Sequence, residues 1–339
     1  MLLQNHTTGQ TREFSIRPFL PTDAPGIIAC IRDAYGDTYV KPFLYTEQGV
    51  LEHEESGKML FSVAETDGGT LAGITACELS EHFPGMAEIA CQVIMRSCNG
   101  YGLALPLALH AMRRAEELAL TGQFARALGC HLISQKTLKG MGFTACGFLL
   151  NVFDKALFRY HFQNGSYAKI PQSVAVRRQG TGGSAERVWL PEELRPLAEE
   201  TYRLLGCERE LHGAAGTLGG QDVWDREEDA RHATLSLWGR TCGEGFSDRL
   251  SACLAEVEER PGQTVNLYLN LCRPGSGAAY AAAREQGFFF TGFLPCARDG
   301  DYMILHHPLR TPVLLDGIPH ISEYAPFMEQ IRRQLCERR

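Results

Sequence analysis

The sequence predicts an α/β protein built from two similar tandem units, each with a central mixed, mostly antiparallel sheet flanked by helices. The pattern Gly-Phe, three residues, Gly-Phe-Leu begins at Gly142 and recurs 145 residues later at Gly287. Glycine-rich turns recur at a similar spacing, since Gly100 precedes Gly142 by 42 residues and Gly243 precedes Gly287 by 44. The 339 residues also suit two domains of about 150 residues each. These observations predict a tandem duplication.

The elements of the first unit follow from the periodicity of its apolar residues. Strand-like alternation begins at residues 14–19, and the turn at 67–69 joins the two runs of a hairpin. Pro106 is compatible with a helix after the glycine-rich turn, because it lies near the first helical turn. The predicted strands cover 14–19, the hairpin 59–80, 86–95, 124–133, 143–153 and 172–178, and the predicted helices cover 20–37, 45–58, 103–120 and 134–142.

The second unit repeats this order in shortened form. Residues 187–206 are a strand followed by a helix, after which the predicted strands cover 230–239, 264–271, 288–295 and 301–308, with helices at 246–259 and 276–287. The small, flexible residues at 179–186 predict a linker. The predicted organisation is therefore a first unit at 14–178, a linker at 179–186, a second unit at 187–308, and a C-terminal extension with a helix at 309–339.

Composition excludes several classes of function. The net charge of −7 argues against a general nucleic-acid binder, which needs a basic surface. The first residues lack the basic and apolar regions of a signal peptide, and no apolar run approaches the roughly 20 residues that cross a bilayer. The twelve cysteines are scattered, without zinc-ligand spacing, and are typical of reduced thiols. The expectation is a cytoplasmic protein without a metal, a nucleic-acid partner or a membrane.

The chemistry indicated by the sequence lies in the glycine-rich turn at residues 97–102, which opens a helix. Such a turn leaves several backbone N–H groups unpaired at the positive end of the helix dipole. This arrangement binds anions and suits a pyrophosphate, and glycines allow the backbone to approach the phosphates. The same turn also occurs in proteins that bind nothing there, so the elements around it must indicate whether this turn is a binding site.

Residues 14–178 resemble the GNAT acyltransferase superfamily. The resemblance rests on the element order β-α-α-β-β-β-α-β-α-β-β, on a loop related to Gln/Arg-x-x-Gly-x-Gly/Ala, and on the Gly-Phe that opens the sixth strand. The second unit looks like a degenerate copy of the same fold. The resemblance implies acetyl-CoA as acyl donor and a small-molecule or peptide amine as acceptor. It places the donor on the end of a strand and the loop: Val93, Ile94, Met95, Ser97, Cys98, Asn99, Gly100, Tyr101, Gly102 and Leu103.

Three positions depart from the pattern of the superfamily. Ser97 stands where Gln or Arg is preferred, although Arg96 is adjacent. His131 stands at the usual Asn, and Leu138 replaces the Tyr that often protonates the departing thiolate. A tyrosine acid is therefore not supported at that position.

The second loop, residues 240–245, matches the loop pattern better by letter than the first. However, Glu244 would place a carboxylate where a pyrophosphate would lie, and like charges repel. The first loop is therefore the favoured donor site.

Candidate catalytic residues lie on the strand before the first loop and at the junction where the next strand becomes a helix. Glu88 is the candidate base that removes a proton from the amine, and the alternative is a solvated carboxylate at the sheet edge. His131 and Ser134 are candidates for donating to the leaving sulfur, although a lone histidine is more often structural. Three tyrosines between the first two predicted helices either contact the acceptor or serve as core or lid residues: Tyr35, Tyr39 and Tyr45.

The function predicted on these grounds is an acyl-CoA-dependent N-acyltransferase, with acetyl transfer to a primary amine by direct attack in a ternary complex. The alternative is a non-catalytic acyl-CoA-binding sensor or scaffold built from the same fold. The missing tyrosine and the degenerate second unit favour this alternative, whereas the loop and Glu88 favour the enzyme.

Overall fold

The computed structural model describes residues 1–155, 168–180, 187–213 and 216–337, so most of the predicted linker lies outside the described residues. The strands are β1 (Leu2–Gln4), β2 (Thr11–Pro18), β3 (Met59–Thr66), β4 (Leu71–Leu79), β5 (Met86–Ile94), β6 (Gly122–Leu128), β7 (Thr144–Asp154), β8 (Lys169–Arg178), β9 (Arg187–Trp189), β10 (Glu210–His212), β11 (Val223–Asp229), β12 (Thr234–Thr241), β13 (Thr264–Asn270), β14 (Phe289–Ala297) and β15 (Gly300–His307). The helices are α1 (Ala24–Tyr35), α2 (Glu47–Glu55), α3 (Ala104–Glu116), α4 (Ile133–Gly140), α5 (Arg195–Leu205), α6 (Phe246–Val257), α7 (Ser276–Glu285) and α8 (Ala325–Glu337).

The two halves of the chain share one pattern of strand pairing. In the first half the strand order ends β4-β5-β6-β8-β7, and only β5 and β6 are parallel. The second half has the order β11-β12-β13-β15-β14, and within this described order only β12 and β13 are parallel; β9 and β10 form a separate parallel pair. In each half a helix, α3 or α6, makes the crossover that a parallel pair requires. The predicted mixed, mostly antiparallel sheets flanked by helices are confirmed.

The halves join edge to edge into one sheet of thirteen strands. Strand β7 pairs with β14 at Gly147 and Gly292, which are the second glycines of the repeated sequence pattern. A Cβ on Gly147 would lie 2.3 Å from the Cα of Gly292, and a Cβ on Gly292 would lie 2.6 Å from the carbonyl oxygen of Cys146. Each copy of the pattern therefore supplies a glycine where two backbones approach too closely for a side chain.

We expect Gly147→Ala to destabilise the protein by about 2–4 kcal/mol, because it inserts a methyl group between two backbones and strains a positive φ. Gly147 has φ 136°. Gly140→Ala is the matched control, since a Cβ there meets nothing within 4 Å. Urea denaturation monitored by circular dichroism measures both. An unchanged midpoint for Gly147→Ala would show that the two strands do not meet as described.

The C-terminal extension covers this junction. Helix α8 packs on β14, where the ring of Phe327 lies 6.5 Å from that of Phe290, and Gln334 Oε1 accepts a hydrogen bond from the backbone N–H of Phe290 at 2.8 Å. The helix predicted within residues 309–339 is thus part of the core of the second half.

Lys169 ties the first half to the second from inside the protein. Its side chain is buried, and Nζ donates to Thr234 Oγ1 at 3.3 Å and to the carbonyl oxygen of Gly262 at 3.2 Å. Burial lowers the pKa of Lys169 to about 8. The start of β8 is therefore held against the starts of β12 and β13.

Some strands were not predicted from the sequence. Strand β11 pairs with β12 along the far edge of the sheet, and its residues 225–229 are mostly charged. A charged edge strand lacks apolar alternation, because one side of it faces solvent. No helix in the described ranges is long and apolar enough to cross a membrane.

Candidate functional site

A slot opens in the first half where β5 and β6 separate. The two strands pair from Met86 and Gly122 to Glu88 and Phe124, and no later pair joins them in the described part of the chain. Strand β5 then bulges at Cys91, whose φ is 53°. The divergence leaves space between two strands that would otherwise be bonded along their length.

A cavity of about 670 Å³ occupies the region of this slot. Five of the residues singled out from the sequence line it: Tyr35, Tyr39, Glu88, His131 and Ser134. Tyr45 does not line it. The Tyr45 hydroxyl accepts a hydrogen bond from the backbone N–H of Tyr39 at 2.8 Å and donates to the carbonyl oxygen of Gly36 at 2.9 Å, so Tyr45 braces the segment between α1 and α2.

Glu88 forms an ion pair with Arg126 in this cavity. The guanidinium donates through Nε to one carboxylate oxygen at 3.0 Å and through Nη2 to the other at 2.6 Å. Although burial opposes the charge of Arg126, the attraction of Glu88 raises the pKa of the guanidinium. Both oxygens of Glu88 are engaged, so this carboxylate is not a solvated residue at the sheet edge.

Tyr39 lies against the bulge of β5. Its hydroxyl donates to Cys91 Sγ at 3.2 Å, and burial raises the pKa of Tyr39 well above its ordinary value. Burial also raises the pKa of the Cys91 thiol to about 12, so this cysteine stays protonated and is a poor nucleophile. The site therefore holds a protonated phenol at Tyr39, for which the sequence offered either acceptor contact or a core or lid role.

The first glycine-rich loop presents its backbone. Gly100 and Gly102 have φ of 86° and 72°. Among the described residues, the backbone N–H groups of residues 100–105 donate no hydrogen bond. Of the side chains predicted for the donor site, Ser97 and Asn99 are exposed, Ile94 and Met95 are half-buried, and four belong to the apolar core: Val93, Cys98, Tyr101 and Leu103. For these four core residues, a ligand would contact the backbone and not the buried side chain.

The N-terminal segment holds this loop in place. The backbone N–H of His6 donates to the carbonyl oxygen of Gly100 at 2.9 Å, and Asn5 Nδ2 donates to that of Asn99 at 2.9 Å. These bonds use carbonyl oxygens and leave the N–H groups of the loop available.

The second glycine-rich loop is filled by the protein itself. The backbone N–H of Gly243 donates to Asp222 Oδ1 at 2.5 Å, and Arg240 pairs with Asp225 and Asp299. The carboxylate in this loop is therefore Asp222, whereas the exposed Glu244 was expected there from the sequence. Strands β12 and β13 also stay paired from Thr234 to Gly239, so this half has no slot.

The structure adds cavity residues that sequence reasoning missed. Arg126 could have been noticed as the single charged residue of strand β6. Glu227, Trp238 and Tyr268 come from the second half and line the same cavity. Nothing in their local sequence links them to the first half.

No protein-family model and no curated protein sequence matches this chain. Solved structures similar to it include an N-acetyltransferase from Staphylococcus aureus, 16% identical, with a TM-score of 0.41 over 49% of this chain and 98% of that one. A GNAT superfamily phosphinothricin acetyltransferase from Sinorhizobium meliloti, in complex with AcCoA, is 16% identical, with a TM-score of 0.40 over 49% and 89%. A ribosomal-protein-alanine N-acetyltransferase from Brucella melitensis is 19% identical, with a TM-score of 0.41 over 48% and 99%. Each of these proteins is similar to about half of the chain.

Proposed function

We propose that this protein transfers an acyl group, most simply acetyl from acetyl-CoA, to a primary amine by direct attack in a ternary complex. One observation carries the proposal: the first half combines a slot between parallel strands with a glycine loop whose N–H groups are open. The second half has the same topology, yet there the strands are paired and the loop is filled by Asp222. Among the described residues, only the first half has both the slot and the loop with open N–H groups.

The loop fits the pyrophosphate of an acyl-CoA. A Cβ on Gly102 would meet His6 Nε2 at 3.6 Å and nothing closer, so this face of the loop is clear. The backbone N–H groups of residues 100–105 would hold the phosphates at the start of α3. Acetyl-CoA would supply an activated thioester. Gln92 Nε2, which donates to the carbonyl oxygen of Ala104 at 2.7 Å, would keep the bulge of β5 aligned with the loop.

The acceptor amine requires a base, since an alkylammonium has a pKa near 10.4. Glu88 is the proposed base, acting as its pair with Arg126 opens or through one water. Tyr39, protonated and placed at the bulge, joins His131 and Ser134 as a candidate donor to the departing sulfur. All four side chains line the same cavity.

Two measurements test the proposal together. Titration calorimetry with acetyl-CoA should show one site per chain, and mass spectrometry should detect N-acetyl products from a panel of primary amines. Absence of both binding and product would contradict the proposed function.

The sensor remains a second candidate, because Glu88 is engaged by Arg126 and the usual tyrosine position is the buried Leu138. Stoichiometric acetyl-CoA binding without product from any amine would favour it.

A further inference from the structure

The second half of the chain contributes a wall of the cavity. Glu227 and Asp229 from β11, Trp238 from β12 and Tyr268 from β13 all line it. Contacts between the halves hold this wall against the first half. His82 Nε2 lies 3.1 Å from Glu227 Oε2, and the guanidinium of Arg231 donates to the carbonyl oxygen of Tyr39 at 3.2 Å.

The wall has a flat aromatic part. The rings of His82 and Trp238 stack with centroids 3.6 Å apart, and Trp238 stacks on Tyr268 at 5.3 Å. Two buried polar atoms of cavity-lining residues have no hydrogen-bond partner among the described residues: Trp238 Nε1 and Gln172 Oε1. Their residues are 5% and 7% exposed. Such atoms normally have partners. Gln172 Oε1 is an acceptor that a bound cation could satisfy, whereas Trp238 Nε1–H is a donor that needs an acceptor.

The charges around the cavity are unequal. Its lining includes five carboxylates against three lysine or arginine side chains: Glu78, Glu81, Glu88, Glu227 and Asp229 against Lys41, Lys58 and Arg126. The three cations pair with the three carboxylates of the first half. Among the described residues, Glu227 and Asp229 of the second half form no ion pair with a lysine or arginine, although His82 contacts Glu227 and Lys169 lies within electrostatic range of Asp229. The hydrogen bond from His82 lowers the pKa of Glu227, which keeps that carboxylate ionised.

We infer, on the basis of the proposed function, that the second half selects the acceptor and that the acceptor is a diamine-like cation. Its reacting nitrogen lies toward Glu88, and its distal cationic group lies against the carboxylates of Glu227 and Asp229. A distal carboxylate is repelled by the same wall. In the transfer the amide C–N bond forms as the thioester C–S bond breaks. The reacting ammonium first gives one proton to Glu88, which passes it to solvent. As the amide forms, the nitrogen loses a second proton and the thiolate of CoA takes one up, so one proton is released overall.

Three acceptors with four carbon atoms each test this inference: 1,4-diaminobutane, 1-aminobutane and 4-aminobutanoate. We expect kcat/KM with acetyl-CoA to be about 10-fold higher for the diamine than for the monoamine, and lowest for the carboxylate. The double variant Glu227→Gln, Asp229→Asn should bring the ratio of diamine to monoamine close to one. Glu228→Gln, on the same strand but pairing with Arg226 and Arg260 outside the cavity, should keep the wild-type ratio.

The outcomes separate this inference from the proposed function. Equal kcat/KM for the three amines, or a preference for 4-aminobutanoate, would overturn the diamine assignment and leave acetyl transfer intact. If no amine is acetylated, the proposed enzyme fails, and calorimetry of the three compounds with wild-type protein still decides the selectivity of the cavity. Tighter binding of the diamine would then support the inference, and equal or absent binding would overturn it.

Discussion

Gly102→Glu is expected to abolish acetyl-CoA binding and, with it, acetyl transfer. The new side chain would place a carboxylate where the loop is proposed to hold the pyrophosphate, and the Cβ would strain a residue whose φ is 72°. Loss of two hydrogen bonds to a charged phosphate, at roughly 1.5–3 kcal/mol each, predicts a Kd higher by about 10²-fold or more. Titration calorimetry measures the Kd.

The control for Gly102→Glu is Gly206→Glu. Gly206 ends α5 with a φ of 63°, and a Cβ there meets nothing within 4 Å. The added charge and the backbone strain are therefore matched, while the loop is untouched. If both variants kept the wild-type affinity for acetyl-CoA, the proposal that the first loop is the donor site would be wrong.

Other glycines of the two loops are less suitable for this test. A Cβ on Gly100 would meet the side chain of Asn5 at 3.0 Å, so a change there also disturbs the N-terminal segment. The sequence predicts that Gly243→Glu in the second loop has little effect on acetyl-CoA binding. In the structure a Cβ on Gly243 would lie 2.2 Å from the carbonyl oxygen of Gly220, so this change should destabilise the second half.

Glu88→Gln is expected to lower kcat by about 10²–10⁴-fold, the usual contribution of general base catalysis. Glutamine keeps the shape of glutamate but cannot take the amine proton. Acetyl-CoA affinity should hardly change, because Glu88 faces Arg126 in the cavity and makes no contact with the loop. The defect should shrink as the pH rises toward 10, where more of the amine is already deprotonated. Steady-state kinetics across pH measures this, alongside the Kd for acetyl-CoA.

The variant Arg126→Gln shows whether Glu88 acts as the base or serves only as the ion-pair partner of Arg126. If Glu88 served only to pair with Arg126, both variants would lose similar activity and stability. If Glu88 is the base, Arg126→Gln should retain far more activity, since it releases the carboxylate. Wild-type turnover in Glu88→Gln at pH 7 would exclude Glu88 as base, leaving His131 or a water chain.

Much of the fold could be predicted because its signals are local. Alternation identified most strands, and the glycines that begin α3 and precede β7 marked the turns. The loop at 97–102 was recognised for the same reason. Strand β11 was missed, since its charged edge carries no such alternation.

The site was only partly predictable. The sequence indicates Glu88 as a candidate base, but its ion pair with Arg126 joins residues 38 positions apart. For Tyr39 the sequence left acceptor contact and a core or lid role open, and its hydroxyl donates to Cys91 on strand β5. Periodicity assigns a face to a residue and leaves the partner on that face unknown.

By itself the sequence determined the order of elements, the repeated pattern and the glycine loop, because each depends on residues a few positions apart. Only the tertiary structure decided that Gly147 meets Gly292, that Asp222 fills the second loop, and that Trp238 enters the cavity of the first half. These contacts join residues far apart in the chain. Their energies come from backbone approach, charge and ring stacking in space, and no local pattern in the sequence records which distant residues will meet.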